Sequence, residues 1–254
     1  MNEEDSVMEI IADLVYDTWG QFKESVYKDL CGSTFYPGKF IYRGQSGTEL
    51  KLRSTFDRYF PDVPQKKKKE IFEKLLSSFK NECDFRIPEI CQMDDDSLLA
   101  FARHHGLPTR LLDWSRSIYV AAFFACNRYE CVDQADSVVI YALNTQSQLI
   151  DEELGLKVIR PADRNNYRQF YQQGLYTLLN TYHDTIEDYL LDAQKRCQQI
   201  DEPVLYKILL PVSECVEALI DLQFMNINFS ALYGDADGYA QDAVLRYKLT
   251  EIAN

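Results

Sequence analysis

Glycine is scarce in this chain of 254 residues, with ten in all, and histidine is scarcer, with three. GxGxxG, the GxxxxGKS/T loop, HExxH and GxSxG are all missing. Rossmann, P-loop, zinc-protease and hydrolase-elbow chemistries therefore lose their sequence support. No two cysteines form CxxC, and the closest pair, Cys126 and Cys131, has four residues between its members. The other five are Cys31, Cys83, Cys91, Cys197 and Cys215, an odd total that leaves a thiol over under any full pairing. Cys91 follows Ile90 and Cys126 follows Ala125, so these read as small core hydrophobes. With so few histidines a zinc site would need mixed ligands at no recognisable spacing, and no metal is expected. The longest apolar run, Ile118–Cys126, is far below the ~18 residues that span a bilayer. The opening MNEEDSVMEI is acidic where a signal peptide would be basic. A soluble, cytoplasmic chain in a reducing compartment, without a membrane partner, is the expectation.

Positive charge is also short, with 27 Lys+Arg against 40 Asp+Glu and a net charge of −13. A field of that sign repels phosphate backbones and argues against a broad duplex-binding face. It leaves room for a local basic pocket, because Arg contacts at short range outweigh a screened distant field. Lys66–Lys69 is the main basic run and reads as a solvated helix face, with a nucleic-acid contact as the alternative.

The apolar share of 46% is too high for disorder. Neither a repeat nor a Gly/Ser/Pro-rich linker divides the chain, so one domain over residues 1–254 is expected, with 1–34 as a helical extension and 35–254 as the core. Apolar positions at Val7, Ile10, Ile11, Leu14, Val15, Trp19 and Phe22 predict an amphipathic helix from Glu4 to about Leu30. Phe40–Tyr42 predicts a strand stopping at Arg43-Gly44, and Gln65–Cys83 a helix. Asp94–Ser97 is placed to cap a helix over Leu98–His105, ended by Gly106 and Pro108. Ser117–Arg128 predicts an apolar helix, Ser137–Leu143 a buried strand, and Asn166–Asn180 fits helix or strand equally. Thr185–Gln199 (helix), Val204–Leu210 (strand), Val212–Leu222 (helix) and Ala236–Glu251 (helix) complete an α+β pattern without regular βα alternation.

Chemistry concentrates in Phe101–Ala125, which holds His104, His105, Gly106, Thr109, Arg110, Asp113 and Trp114. Arg110 and Asp113 fit a structural ion pair, and the histidines fit a helix end where a cation is favourable. The same cluster, at the mouth of a rigid apolar helix, also fits a pocket. Arg43, at a strand end beside Gly44, is suited to fork onto a phosphate or carboxylate. Trp114 and Phe123-Phe124 read as core rather than as a stacking platform.

Taken together, Tyr42-Arg43-Gly44-Gln45 and HHGLPTRLLDWS (His104–Ser115), running into Ala121–Ala125, resemble the FRG domain. Arg168 with QQGLYT (Gln172–Thr177), and Asn226–Gly238 with Asn228, Leu232, Asp235 and Asp237, are similar to two further segments of that family. The chain departs from the pattern at Tyr42, where Phe is typical, at Arg103, which replaces a common Gln, and at Tyr233-Gly234, which replace Phe-Pro. The resemblance implies an α+β fold with an ADP-ribosyltransferase-like split β-sheet core and surrounding helices. It also implies NAD as substrate, and a bacterial toxin or anti-phage role. On that basis Arg43, Gly44, Gln45, Thr109 and Arg110 are expected at the cofactor. His104 is expected at the ribose or acceptor, with His105 the weaker choice, and Asp113 as the group orienting Arg110 or His104. Gln173, Asp235 and Asp237 compete for the place of the group that meets the ribose. The expected partners are a macromolecular acceptor, protein or nucleic acid, and an antitoxin or regulatory protein. NAD glycohydrolysis and a non-catalytic binding module are the alternatives.

Overall fold

The computed structural model describes residues 9–32, 36–84, 86–87, 90, 92–128, 136–160, 167–196 and 200–253. Cys91, Cys131, Cys197 and the stretch Glu4–Met8 lie outside them. The strands are β1 (Ile11–Val15), β2 (Phe40–Gln45), β3 (Leu111–Ser115), β4 (Ser137–Asn144), β5 (Leu156–Ile159), β6 (Gly174–Leu179) and β7 (Leu205–Pro211). They form one mixed sheet in the order β1-β7-β4-β2-β3-β6-β5. The β1–β7 pair is parallel and the other pairs are antiparallel.

Alternation along the strands sorts the core into layers. On β4, Val138, Ile140 and Ala142 face one cluster, while Val139, Tyr141 and Leu143 face another. A strand covered on both sides has no polar face to show, which explains the uninterrupted apolar run SVVIYAL. The first cluster packs under α1 (Trp19–Cys31), α5 (Ile118–Cys126), α8 (Cys215–Phe224) and α10 (Ala236–Ala253). The second packs under α7 (Ile186–Gln194). A third, smaller cluster joins Leu111, Ile159 and Tyr176 to α4 (Asp95–His104), with Phe72 and Leu76 of α3 (Gln65–Asp84) against it. Short helices α2 (Thr55–Tyr59), α6 (Tyr167–Tyr171) and α9 (Phe229–Tyr233) complete the described elements. No helix among the described residues is long and apolar enough to cross a membrane.

The N-terminal expectation is corrected. Ile11–Val15 is a strand in register with β7 from Ile11↔Leu205 to Val15↔Leu209. The helix begins only at Trp19, where the Thr18 hydroxyl accepts from the Gln21 amide at 3.1 Å. Two elements of different period share the apolar stretch, and the edge of β7 supplies backbone partners that the local sequence does not reveal. The ambiguous Asn166–Asn180 region resolves into α6 and β6. The expected helix after β7 begins with a 3-10 turn at Val212–Glu214 before α8.

β2 and β3 register at one position only, Tyr42↔Ser115, whereas β2 pairs with β4 along its full length from Phe40↔Asn144 to Gln45↔Val139. The sheet is thus nearly divided between β2 and β3. On the other side of β2, helix α5 lies directly on the backbone. A Cβ on Gly44 would fall 1.9 Å from the Ala121 carbonyl oxygen and 2.5 Å from the Ala125 amide nitrogen. The small residues Ala121, Ala122 and Ala125 are what allow this approach. Gly44→Ala is expected to lower stability by at least about 1–3 kcal/mol, the usual cost of forcing atoms into a packed contact. Urea denaturation followed by circular dichroism checks this, and an unchanged midpoint would show that α5 can retreat.

Candidate functional site: a basic cleft where the sheet parts

Beyond Tyr42↔Ser115 the two strands separate, and the Asp113 carbonyl has no amide of β2 opposite it. Arg43 fills the wedge, its Nη1 donating to that carbonyl at 2.7 Å. The buried Nε of the same guanidinium, and Oε1 of Gln45 two residues on, have no hydrogen-bond partner. Unpaired polar atoms of this kind are uncommon in folded proteins and mark a place where a ligand or water is wanted.

The wedge opens into a cleft of about 1030 Å³ bounded by both halves of the sheet, by α4, and by α6 and α9. Among the described residues its cations are Arg43, Lys51, Arg53, Arg58, Arg103, Arg128 and Arg168, and its carboxylates are Glu49 and Asp113. In a chain of net charge −13 this is a strong local reversal of sign.

Local structure explains how the arginines come together. Asp94 caps α4, its carboxylate accepting from the Ser97 amide at 2.7 Å, and the helix runs until Gly106 takes a left-handed φ of +87°. That length sets Arg103 and His104 in the last turn, at the cleft wall. Ser54 caps α2, and the Thr55 hydroxyl beside it accepts from Arg103 Nη1 at 2.5 Å and from Arg58 Nη2 at 3.3 Å. Arg103 then forks onto the Asp113 carboxylate, Nη2 donating at 2.5 Å and Nε at 3.3 Å. Arg43 Nη1 lies 3.6 Å from the same carboxylate.

Two guanidinium groups therefore meet one carboxylate, and a third, that of Arg58, shares the Thr55 hydroxyl with Arg103. Burial pushes the Asp113 carboxyl up, but Arg103 and then Arg43 more than offset it and hold it below the usual range. For Arg43 the balance runs the other way: burial, with Arg103 and Arg58 nearby, lowers its pKa despite Asp113. Burial and Arg103 likewise lower that of Arg58. Arg103, with Asp113 against it, is raised instead, and an anion placed among these groups would meet charge-assisted donors.

The residues expected at the site are thus divided. Arg43, Gly44, Gln45, His104 and Asp113 line the cleft. Gly44 serves α5 with its missing side chain, and His105 is the cap beyond α4. Thr109 and Arg110 are buried elsewhere, and the expected Arg110–Asp113 pair is not formed. Arg110 instead donates to Asp57 at 3.3 Å and to the carbonyls of Thr181 (3.0 Å) and His183 (2.8 Å). Lys68 joins the same buried group, 2.6 Å from Asp184 and 3.3 Å from Asp57. Lys68 alone of the Lys66–Lys69 run is in the interior, and Lys66, Lys67 and Lys69 are exposed as a solvated face requires.

Gln173 sits at a turn with φ +50°, where its carbonyl accepts from the Arg116 amide, while its neighbours Gln172 and Gln169 face the cleft. Asp235 and Asp237 are not on the cleft surface. Both hold Arg168, Asp235 in a close fork and Asp237 at 3.2 Å, and the guanidinium lies 4.9 Å over the Tyr233 ring. Trp114 and Phe123 are core, with the Trp114 indole donating to Thr177 Oγ1 at 2.8 Å, and Trp114 and Phe124 each line the cleft as well. Arg58 and Arg103 are the principal residues that sequence reasoning missed. The only signals were a Ser-Thr cap ahead of Arg58 and the unusual cation before His104.

Fold and site together define an α+β protein with an arginine-rich cleft at a near-division of its sheet. Residues 38–134 match the family model of the FRG domain, a span that includes Arg43, Arg58, Arg103, His104 and Asp113. No curated protein and no solved structure gives a significant match.

In this cleft Asp113 occupies the arginines that an incoming anion would use. Asp113→Asn is expected to tighten inorganic pyrophosphate binding by about tenfold, the worth of one charge-assisted hydrogen bond the ligand no longer displaces. Titration calorimetry checks it, and weaker binding would show that Asp113 holds the guanidinium groups in place instead.

Proposed function

We propose that the chain is an ADP-ribosyltransferase that takes NAD into the cleft and passes its ADP-ribose to a macromolecular acceptor. The observation that carries this reading is Arg43: it stands where the sheet parts, with an unpartnered Nε, at the base of a basic cleft of about 1030 Å³. A diphosphate matches the surplus of guanidinium groups there, since Arg presents paired donors to phosphate oxygens. In this reading Arg43, Arg58 and Arg103 hold the diphosphate and fix the ribose. His104 at the wall hydrogen-bonds the ribose or the acceptor.

The reaction breaks the bond between the ribose carbon and the nicotinamide nitrogen, and the electron pair leaves with nicotinamide. A nucleophile of the acceptor forms the new bond to that carbon and gives up its proton to water. Positive charge gathers on the ribose during this exchange, the same demand that glycoside cleavage makes. Asp113, its arginines taken over by the diphosphate, is the cleft carboxylate that stands among those arginines and would meet that charge. An acceptor that approaches a basic rim on an acidic protein is selected by contacts at short range.

Incubation with NAD and cell lysate should release nicotinamide and leave ADP-ribose on an acceptor, read by chromatography and mass spectrometry. Arg43→Ala is expected to weaken NAD binding at least about tenfold, as loss of a charge-assisted hydrogen bond does. Unchanged thermal unfolding is the control. Free ADP-ribose without a labelled acceptor would assign a glycohydrolase. NAD affinity indifferent to Arg43→Ala would remove the diphosphate role, and no turnover with any acceptor would leave a binding module.

A further inference from the structure

A second cavity, of about 380 Å³, opens where the end of α5 meets α9 and α10. It shares Asn127, Arg128, Phe229 and Gln241 with the basic cleft, so the two spaces adjoin. The chemistry changes at the boundary. Val244 and Leu245 of α10 join Phe229 to make an apolar floor, with Arg128 and Lys248 as the annex's charged residues among those described, whereas the cleft is rich in charge. Phe229 is held in place edge to face against Phe123, with centroids 4.9 Å apart at 79°, and against Tyr233 at 5.8 Å. Asn127 and Gln241 stand at the junction, each with an amide able both to donate and to accept. Arg128, exposed, stands there too.

A ligand that crosses this boundary is anionic at one end. At the other it is flat and apolar on its faces, with donors and acceptors around its edge. Among biological anions a nucleotide has that make-up. We propose that the annex is a nucleobase subsite, in which Phe229 and Val244 pack against the base, Asn127 and Gln241 read its edge, and Arg128 meets the adjoining phosphate. The proposal rests on the reading that the cleft takes a phosphate-bearing ligand. The base has two sources, the dinucleotide itself or a nucleotide of a nucleic-acid acceptor.

Val244 is 58% exposed, so Val244→Trp fills the annex from its mouth without disturbing the core. Gln241→Ala, also at an exposed position, removes one edge-reading amide. Calorimetry on the full chain would compare inorganic pyrophosphate, adenosine, ADP and a short single-stranded oligoadenylate. Val244→Trp is expected to leave pyrophosphate unchanged and to weaken ADP or the oligoadenylate about tenfold, the scale of one base on an aromatic ring. Loss for ADP assigns the base of the dinucleotide, and loss for the oligoadenylate alone assigns the base of the acceptor. If neither variant alters binding of ADP or the oligoadenylate, the subsite is overturned. Failure of pyrophosphate to bind the unaltered chain overturns the cleft reading instead. Adenosine binding that Val244→Trp abolishes would then still support the annex, and its absence would overturn both.

Discussion

The guanidinium of Arg43 is the hinge on which the site turns. Strands that diverge inside a sheet leave backbone carbonyls without partners, and an orphan of this kind is costly in a buried place. Arg43 answers the Asp113 carbonyl with a side chain where a neighbouring strand would ordinarily answer with an amide. The sheet can therefore open without losing that hydrogen bond, and the opening is the cleft. On the far side of the same strand, the bare Gly44 lets α5 rest on the backbone and keeps β2 rigid where its partner leaves it.

Charge in this protein is arranged by distance rather than by sum. The net value of −13 describes the chain as a whole, while among the described residues the cleft is lined by seven cations and two carboxylates. Screening over roughly 8 Å at physiological ionic strength separates these two scales, so the far acids neither cancel the cleft nor steer its contents strongly. Within the cleft, Asp113 balances part of the charge that Arg103 and Arg43 bring, and Arg58 is held by neutral oxygens of Arg53 and Thr55. The acids at the rim are engaged differently, Asp235 and Asp237 with Arg168. Arg110 and Lys68 show the contrasting use of a cation: closed into the interior with Asp57 and Asp184, they tie α3, β3 and the approach to α7 together.

The sequence carried much of this. Helix α4 was legible because Asp94 caps it and Gly106 ends it, both local effects of side chain and backbone. The strand β4 was legible because a surface covered on both faces must be apolar throughout. Arg43 and His104 were legible as chemistry-bearing residues, and the structure brings both to one cleft. Less was visible at β1, whose five residues read as part of a helix until β7 offers them hydrogen bonds, and at Arg110, whose partner Asp57 lies 53 positions away.

What the residue order determined by itself was therefore the local matter: caps, apolar periods, the absence of metal and phosphate-loop patterns, and the motif shared with FRG domains. Only the tertiary structure decided which arginines line the cleft and which are closed into the interior, that Asp113 answers Arg103 rather than Arg110, and that Asp235 and Asp237 stay off the cleft surface. The physical reason is range. Capping and periodicity act over a few residues, whereas the pairing of charges and the parting of two strands depend on groups that meet only after the chain has folded.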